Sequence, residues 1–292
     1  MRWLAYGWLA VALVILGLSS VYKSLNERMY NPRLGINLVV IGERQMGILV
    51  LRPNENIASY TLLPENLMIK DENGSKYRIG SLWGLGALEH KAGEKVMVSL
   101  GRAMGLKISA FVKTGSDAML DVNNLPEEIA IWKLNNNLNW WDKIDLNRDI
   151  RYWLQKGELV GEELPKNLTN EEVEPDGVRS LLPDEGKLNA FATRIWVNST
   201  VLAERVNMAV FNNSETAGKA RDLAKSLSVM GVKVVVVEKG GDSSQKCRFL
   251  VYRKNIPVTI EVLERIYGCK LGGIKPMYGD SRVDIELVTG TN

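Results

Sequence analysis

Residues 211–227 read FNNSETAGKARDLAKSL. Asn212, Asn213, Ser214, Gly218 and Lys219 there lie between an apolar run and an amphipathic one. Amides, a hydroxyl, a glycine and a lysine in that order suit an anion: glycine lets backbone N–H groups approach, and a helix N-terminus favours negative charge. The spacing excludes the two most specific versions. A P-loop needs G-x-x-x-x-G-K-[ST], and both the first glycine and the Ser/Thr after Lys219 are missing. A dinucleotide loop needs three glycines, and only Gly218 is present. The expectation is that Ser214 or Thr216 caps the following helix, with Asn212, Asn213, Ser214 and Gly218 kept as a candidate ligand turn.

Other chemistry-bearing residues are sparse. His90 is the single histidine, so there is no His pair for zinc and no Ser–His–Asp set around it; a surface or packed role is expected. Cys247 and Cys269 are the two cysteines. They cannot build a four-sulfur site and are not in C-x-x-C spacing, so a disulfide and two buried thiols both stay open. No metal or other cofactor is expected. The net charge of +3 and the lack of a Lys/Arg stripe argue against nucleic acid as a partner. The lack of a helix pair with a basic face argues against a tethered transcription regulator.

The elements that must position these residues follow from patterning. A length of 292 residues, 46% hydrophobic and 24% charged, suits two folded domains. Residues 3–22 carry no charge and as a helix would be about 30 Å long, the thickness of a bilayer core. Trp3, Tyr6 and Trp8 at one end and Tyr22 at the other suit the headgroups. The run exceeds a signal peptide's usual apolar core, so residues 1–23 are expected to be an uncleaved transmembrane anchor. The chain is then a single-pass protein of the cell membrane, with the lipid bilayer as partner of residues 3–22 and its body extracytoplasmic.

Residues 34–157 are expected to form an α/β sheet domain. Strands are expected at 36–41, 48–51, 57–63 and 108–112, bounded by glycine and proline. Val96, Met97, Leu100, Ala103 and Met104 form one helix face, ended by Gly105. GSLWGLGALEHKAG (80–93) reads as turns around a packed Trp83. Residues 124–157 hold Trp132, Trp140, Trp141 and Trp153, with Leu146, Ile150, Trp153 and Leu154 on one helical face. These tryptophans suit either a membrane surface or a core between domains, and the core reading carries more weight. Residues 158–205, rich in Glu, Pro and Asn, read as linker and a connecting helix. Residues 206–292 give the order β-α-β-β-α-β, a ferredoxin-like unit.

That last domain resembles the C-terminal domain of the LytR/CpsA/Psr cell-envelope family. The likeness rests on MAVFNNSETAGKARDLAKSL, on MGVKVVVVEKG and on the closing VDIELVTGTN. Asn213 stands where the family has a turn glycine, and Asn292 where it has a final Asp. A SPOR-like domain, which binds glycan strands, shares the element order. Residues 35–113 are similar, more faintly, to the family's catalytic domain, through INLVVIG, ILVL, IASYTLLPENLMI and LKISAFVKTG. The resemblance implies transfer of a glycopolymer from a polyprenyl pyrophosphate carrier to the cell wall, using arginines on the pyrophosphate and aspartates on Mg²⁺. This sequence departs there. In ERQMGIL only Arg44 matches an Arg-x-Asp-Thr motif, and the Ile-Pro-Arg-Asp motif has become Leu63-Pro64-Glu65-Asn66. The expectation is a degenerate domain that scaffolds, binding wall glycan or an envelope protein. The alternative is a phosphotransferase that keeps Mg²⁺ and rearranged ligands, Arg44, Glu65 and Arg78.

Overall fold

The computed structural model describes residues 28–290, apart from 72–73, 116, 131, 134, 175–176, 215–217, 241–246 and 276–281. The expected anchor at 3–22 lies outside the described residues; among them no helix is long and apolar enough to cross a membrane.

The first domain is built on strands β1 (Ile36–Ile41), β2 (Met46–Arg52) and β3 (Ile57–Leu63). A small hairpin, β4 (Met68–Lys70) with β5 (Lys76–Arg78), leads into helices α1 (Ile79–Leu88) and α2 (Ala92–Met104). Then come β6 (Ala110–Lys113), the short α3 (Leu125–Glu128), the long α4 (Trp140–Lys156) and β7 (Gly161–Glu163). The sheet order is β6-β1-β2-β3-β7. β1 and β2 are buried throughout, which is why both read as continuous apolar runs rather than alternating ones. Val39, Ile41, Met46 and Ile48 face α1 and α2, with Leu82, Val96 and Leu100 opposite. Leu38, Val40 and Leu49 face α4, through Leu146, Ile150 and Trp153. The result is a three-layer α/β/α domain.

Two local signals set the helix ends. α2 stops at Gly105, whose φ is 64°, a left-handed position where glycine carries no Cβ penalty. α4 starts with a capping box in which Asn139 accepts from the Asp142 amide and Asp142 accepts from the Asn139 amide. Residues 80–93, read as turns around Trp83, instead hold most of α1 and the start of α2; three glycines in ten residues hid the helix.

Residues 158–184 are also more ordered than a linker. β7 joins the sheet parallel to β3, and β8 (Thr169–Val173) pairs with β9 (Arg179–Pro183) in a hairpin. The side chains of β7 and β8 are mostly exposed and acidic, and those of β9 (RSLLP) mostly half-buried, so the strands are held largely by backbone bonds that composition does not advertise. The connecting helix is two: α5 (Glu185–Trp196) and α6 (Ser199–Glu204).

The C-terminal domain comprises β10 (Asn207–Asn212), α7 (Lys219–Met230), β11 (Lys233–Lys239), β12 (Arg248–Val251), α8 (Pro257–Arg265), β13 (Lys270–Ile274) and β14 (Ile285–Thr289). Its sheet order is β11-β10-β14-β12-β13, which corrects the ferredoxin-like expectation. A split unit would insert a strand inside each parallel pair. Here β10 and β11 are adjacent and parallel, as are β12 and β13, and β14 sits between the two pairs. The strand missed in sequence is β13, KLGGI, whose two glycines weaken its signal.

Candidate functional site

The C-terminal ends of the parallel neighbours β1 and β6 meet at one corner of the first sheet, the edge where open α/β sheets place their ligands. The β1–β2 turn closes by the Gly42 amide donating to the Gln45 carbonyl, 3.0 Å. Asp117, opening the 3-10 turn Asp117–Leu120 after β6, accepts from the amides of Arg44 (2.9 Å) and Gln45 (3.2 Å). Burial pushes its carboxyl up, but the amide bonds from Arg44, Gln45 and Glu43 and the charge of Arg44 prevail and hold it below the usual carboxylate value. Lys113 Nζ donates to the carbonyls of Gly42 and Thr114, both at 3.0 Å, and stands 6.0 Å from the centre of the Trp83 ring. The first turn of α1 closes the corner. A Cβ on Gly80 would lie 2.9 Å from the Arg44 carbonyl oxygen, so glycine is what lets the helix reach the turn.

Arg44, Glu65 and Arg78 all border this corner but do not converge on a common pocket. Arg44 Nη1 faces Glu65 Oε1 at 3.9 Å, with both side chains more than half exposed. Arg78 Nη2 faces Glu174 Oε1 at 3.6 Å. Lys113 is turned onto carbonyls. Each cation at the corner therefore has an oxygen partner of this chain, and the carboxylates Glu65, Asp117 and Glu174 balance Arg44, Lys113 and Arg78. Glu65 is turned to Arg44, and among the described residues no three His, Cys, Asp or Glu side chains come together as a set that could hold a metal ion.

The candidate turn of the second domain is brought together but bonded inward. Asn212 Oδ1 accepts from the Ser214 amide (3.1 Å), the Ser214 hydroxyl (2.7 Å) and the Thr289 hydroxyl (3.2 Å). The Asn213 amide donates to the Thr289 carbonyl at 3.1 Å, and Lys219 Nζ to the Gly290 carbonyl at 2.9 Å. Ser214 does not cap α7. The cap is Gly218 at φ 85°, with no side-chain hydrogen bond; Thr216 lies outside the described residues. His90 is an exposed residue of the α1–α2 turn at φ 58°.

Cys247 and Cys269 form a disulfide, Cα–Cα 4.6 Å. It ties the start of β12 to the start of β13, two strands paired side by side.

No family model matches the chain, and no curated protein does. Solved structures do. The resemblance is to LytR-CPS2A-psr proteins. Lin1025 from Listeria innocua overlays with a TM-score of 0.41 at 10% identity, covering 57% of this chain and 100% of that one. TagV of Bacillus subtilis gives 0.39 at 9% identity, covering 53% and 92%. The LytR-CPS2A-psr family protein YwtF (TagT), solved with octaprenyl pyrophosphate lipid bound, gives 0.33 at 8% identity, covering 55% and 89%.

Sequence reasoning missed Asp117 and Arg52. Arg52 is 2% exposed, where the two domains meet, in a cleft lined by Leu34, Asn37, Ser109, Met230 and Ile266. One guanidinium nitrogen donates to Asn37 Oδ1 at 3.4 Å, and Nη1 has no partner. Burial lowers its pKa to about 10, against the attraction of Glu55 and Tyr267. An arginine ending an apolar strand was the available signal, and it does not distinguish a buried side chain from an exposed one.

Proposed function

We propose that the chain is a single-pass, membrane-anchored cell-envelope protein. Its body lies outside the cytoplasm and scaffolds there, binding wall glycan or an envelope protein through residues 206–292, without transferring a group. The observation that carries this reading is the pairing of Arg44 with Glu65 and of Arg78 with Glu174. A phosphotransferase of the family that the sequence resembles must leave its arginines for the migrating phosphate; here each is met by a carboxylate of the same chain.

Two features support the rest. The Cys247–Cys269 disulfide suits an oxidising compartment rather than the cytosol. In the second sheet, the register puts Phe211, Leu250, Glu286 and Val288 on the face turned away from the core residues Phe249 and Leu287. An apolar and hydrogen-bonding sheet face is suited to the planes and hydroxyls of a sugar chain. The test is sedimentation of the full chain with purified wall material. The chain is expected to pellet with the wall, and a Phe211→Ser/Leu250→Ser variant that keeps its melting transition is expected to pellet several-fold less. A chain that stays in solution, or a folded variant that pellets undiminished, contradicts the reading.

A further inference from the structure

The tryptophans at 132–153 divide in a way the core reading does not explain. Trp153 is 2% exposed and fills the layer under the first sheet. Trp132 and Trp140 are 76% and 61% exposed. Trp140 opens α4, and its helical position places it with Ile144, 37% exposed, and Arg151 on the solvent face. Trp132 lies in the preceding loop, beside Lys133, whose carbonyl receives Lys143 Nζ at 2.5 Å from the first turn of α4.

Residues 28–30 are fastened to the same end of α4. The amides of Met29 and Tyr30 donate to the Asp142 carboxylate at 3.2 and 3.0 Å, and Tyr30 Oη donates to Asp149 at 2.5 Å. Arg28 pairs with Asp145 at 3.2 Å and lies 5.3 Å from the centre of the Trp141 ring. Arg28, Met29 and Tyr30 are therefore held at the tryptophan-bearing end of α4.

We propose that Trp132, Trp140 and Ile144 dock in the headgroup region of the bilayer that holds residues 3–22. This rests on the anchor reading above and adds to it a fixed orientation of the body. From Tyr22 to Arg28 there are six peptide steps, which span at most about 22 Å when fully extended. The N-terminal end of α4 is thus confined close to the interface whatever path the connector takes. Indole rings carry a large apolar body and one N–H donor, and they collect at the boundary between acyl chains and headgroups. Arg151, whose Nε donates to Asn147 Oδ1 at 2.7 Å, lies on the same outer side of the helix and has the length to reach lipid phosphates beside the inserted rings, while Arg148 is held by Asp145 and Asp149, both at 3.1 Å. A surface that is tethered, aromatic and flanked by arginine matches a phospholipid interface. With this end of α4 on the membrane, the reach of the C-terminal domain into the envelope becomes a fixed distance rather than one set by a flexible stalk.

The test uses the full chain, disulfide intact, reconstituted into vesicles of phosphatidylethanolamine and phosphatidylglycerol. An environment-sensitive fluorophore is placed at Ile144→Cys, or for comparison at Val237→Cys on β11 of the second sheet. Flotation first reports whether the chain is held by the vesicles, and spin-labelled lipids then report depth. The proposal predicts a blue-shifted, quenched probe at 144 and an unquenched one at 237. It also predicts that Trp132→Ser/Trp140→Ser brings the 144 signal to the level of 237 while the chain still floats. A floating chain whose 144 probe is quenched no more than the 237 probe overturns the docking and leaves the anchor standing. Quenching at 144 that survives loss of both tryptophans also overturns it, and a chain that does not float overturns anchor and docking together.

Discussion

Asp117 shows how one side chain can organise a turn that lies 72 and 73 residues earlier in the sequence. Its carboxylate gathers the amides after Gly42 and fixes the corner where Arg44 is displayed. Asp117→Asn keeps the shape and weakens those bonds, at a cost of about 1 kcal/mol, modest because the site is open to solvent. The carboxyl is held below its ordinary value in the folded state. Its stabilisation is therefore present above the usual carboxylate range and lost as pH falls through and below it. Chemical denaturation of the two proteins should differ at pH 7 and converge in strong acid. Arg52 makes the opposite case. Its pKa falls to about 10, so below that pH the folded state carries a buried charge it holds less well than the unfolded chain does. Arg52→Met, in a cleft lined by Leu34, Ile36, Met230 and Ile266, is expected to be neutral or to stabilise by about 1–3 kcal/mol in thermal melts. A loss of more than 2 kcal/mol would show that the guanidinium holds the domains together. Neither role was legible in sequence. Both depend on partners brought close by the sheet, whereas Arg44, Glu65 and Arg78 could be singled out without their facing carboxylates being visible.

Elements were legible where the pattern carried their backbone geometry. β1 and β3 follow the apolar runs residue for residue, and Gly105 and Pro257 mark helix ends as their chemistry dictates. β7 and β8 were hidden because acidic, exposed strands resemble linker, β9 because a five-residue run ending in proline carries little pattern, and β13 because of its glycines. Packing between strands adds a constraint that no local pattern shows. Gly47 of β2 lies against the buried ring of Tyr60 on β3, and a Cβ there would meet the phenol. Gly47→Ala should destabilise by about 1–3 kcal/mol, read from denaturant unfolding, and a neutral result would mean the β2–β3 pairing is looser than described. The disulfide acts on the second sheet in the same way, by closing a segment of 22 residues. Cys247→Ser/Cys269→Ser should lower stability by about 3 kcal/mol, seen as an earlier melting transition. An unchanged melt would mean that β12 and β13 hold their register without it.

At the scale of the molecule the two domains share side chains rather than a hinge. Leu34 from the first domain's approach segment packs in the second core, and Val229 of α7 packs in the first. Arg102 at the end of α2 pairs with Asp222 of α7 at 2.6 Å, and Lys225 Nζ reaches the carbonyls of Arg102 and Ala103. Such coupling argues that the two domains move as one piece. What the whole does turns on the corner at Arg44. A transferase needs that corner to receive a pyrophosphate; a scaffold does not. The most direct measurement is a calorimetric titration of the full chain, in detergent, with a short-chain polyprenyl pyrophosphate, with and without Mg²⁺. The account predicts no binding heat in either condition from protein shown to be folded by its melting transition. Saturable, Mg²⁺-dependent binding that is lost in Arg44→Ala/Arg78→Ala would contradict it, because the arginines would then have exchanged Glu65 and Glu174 for the carrier.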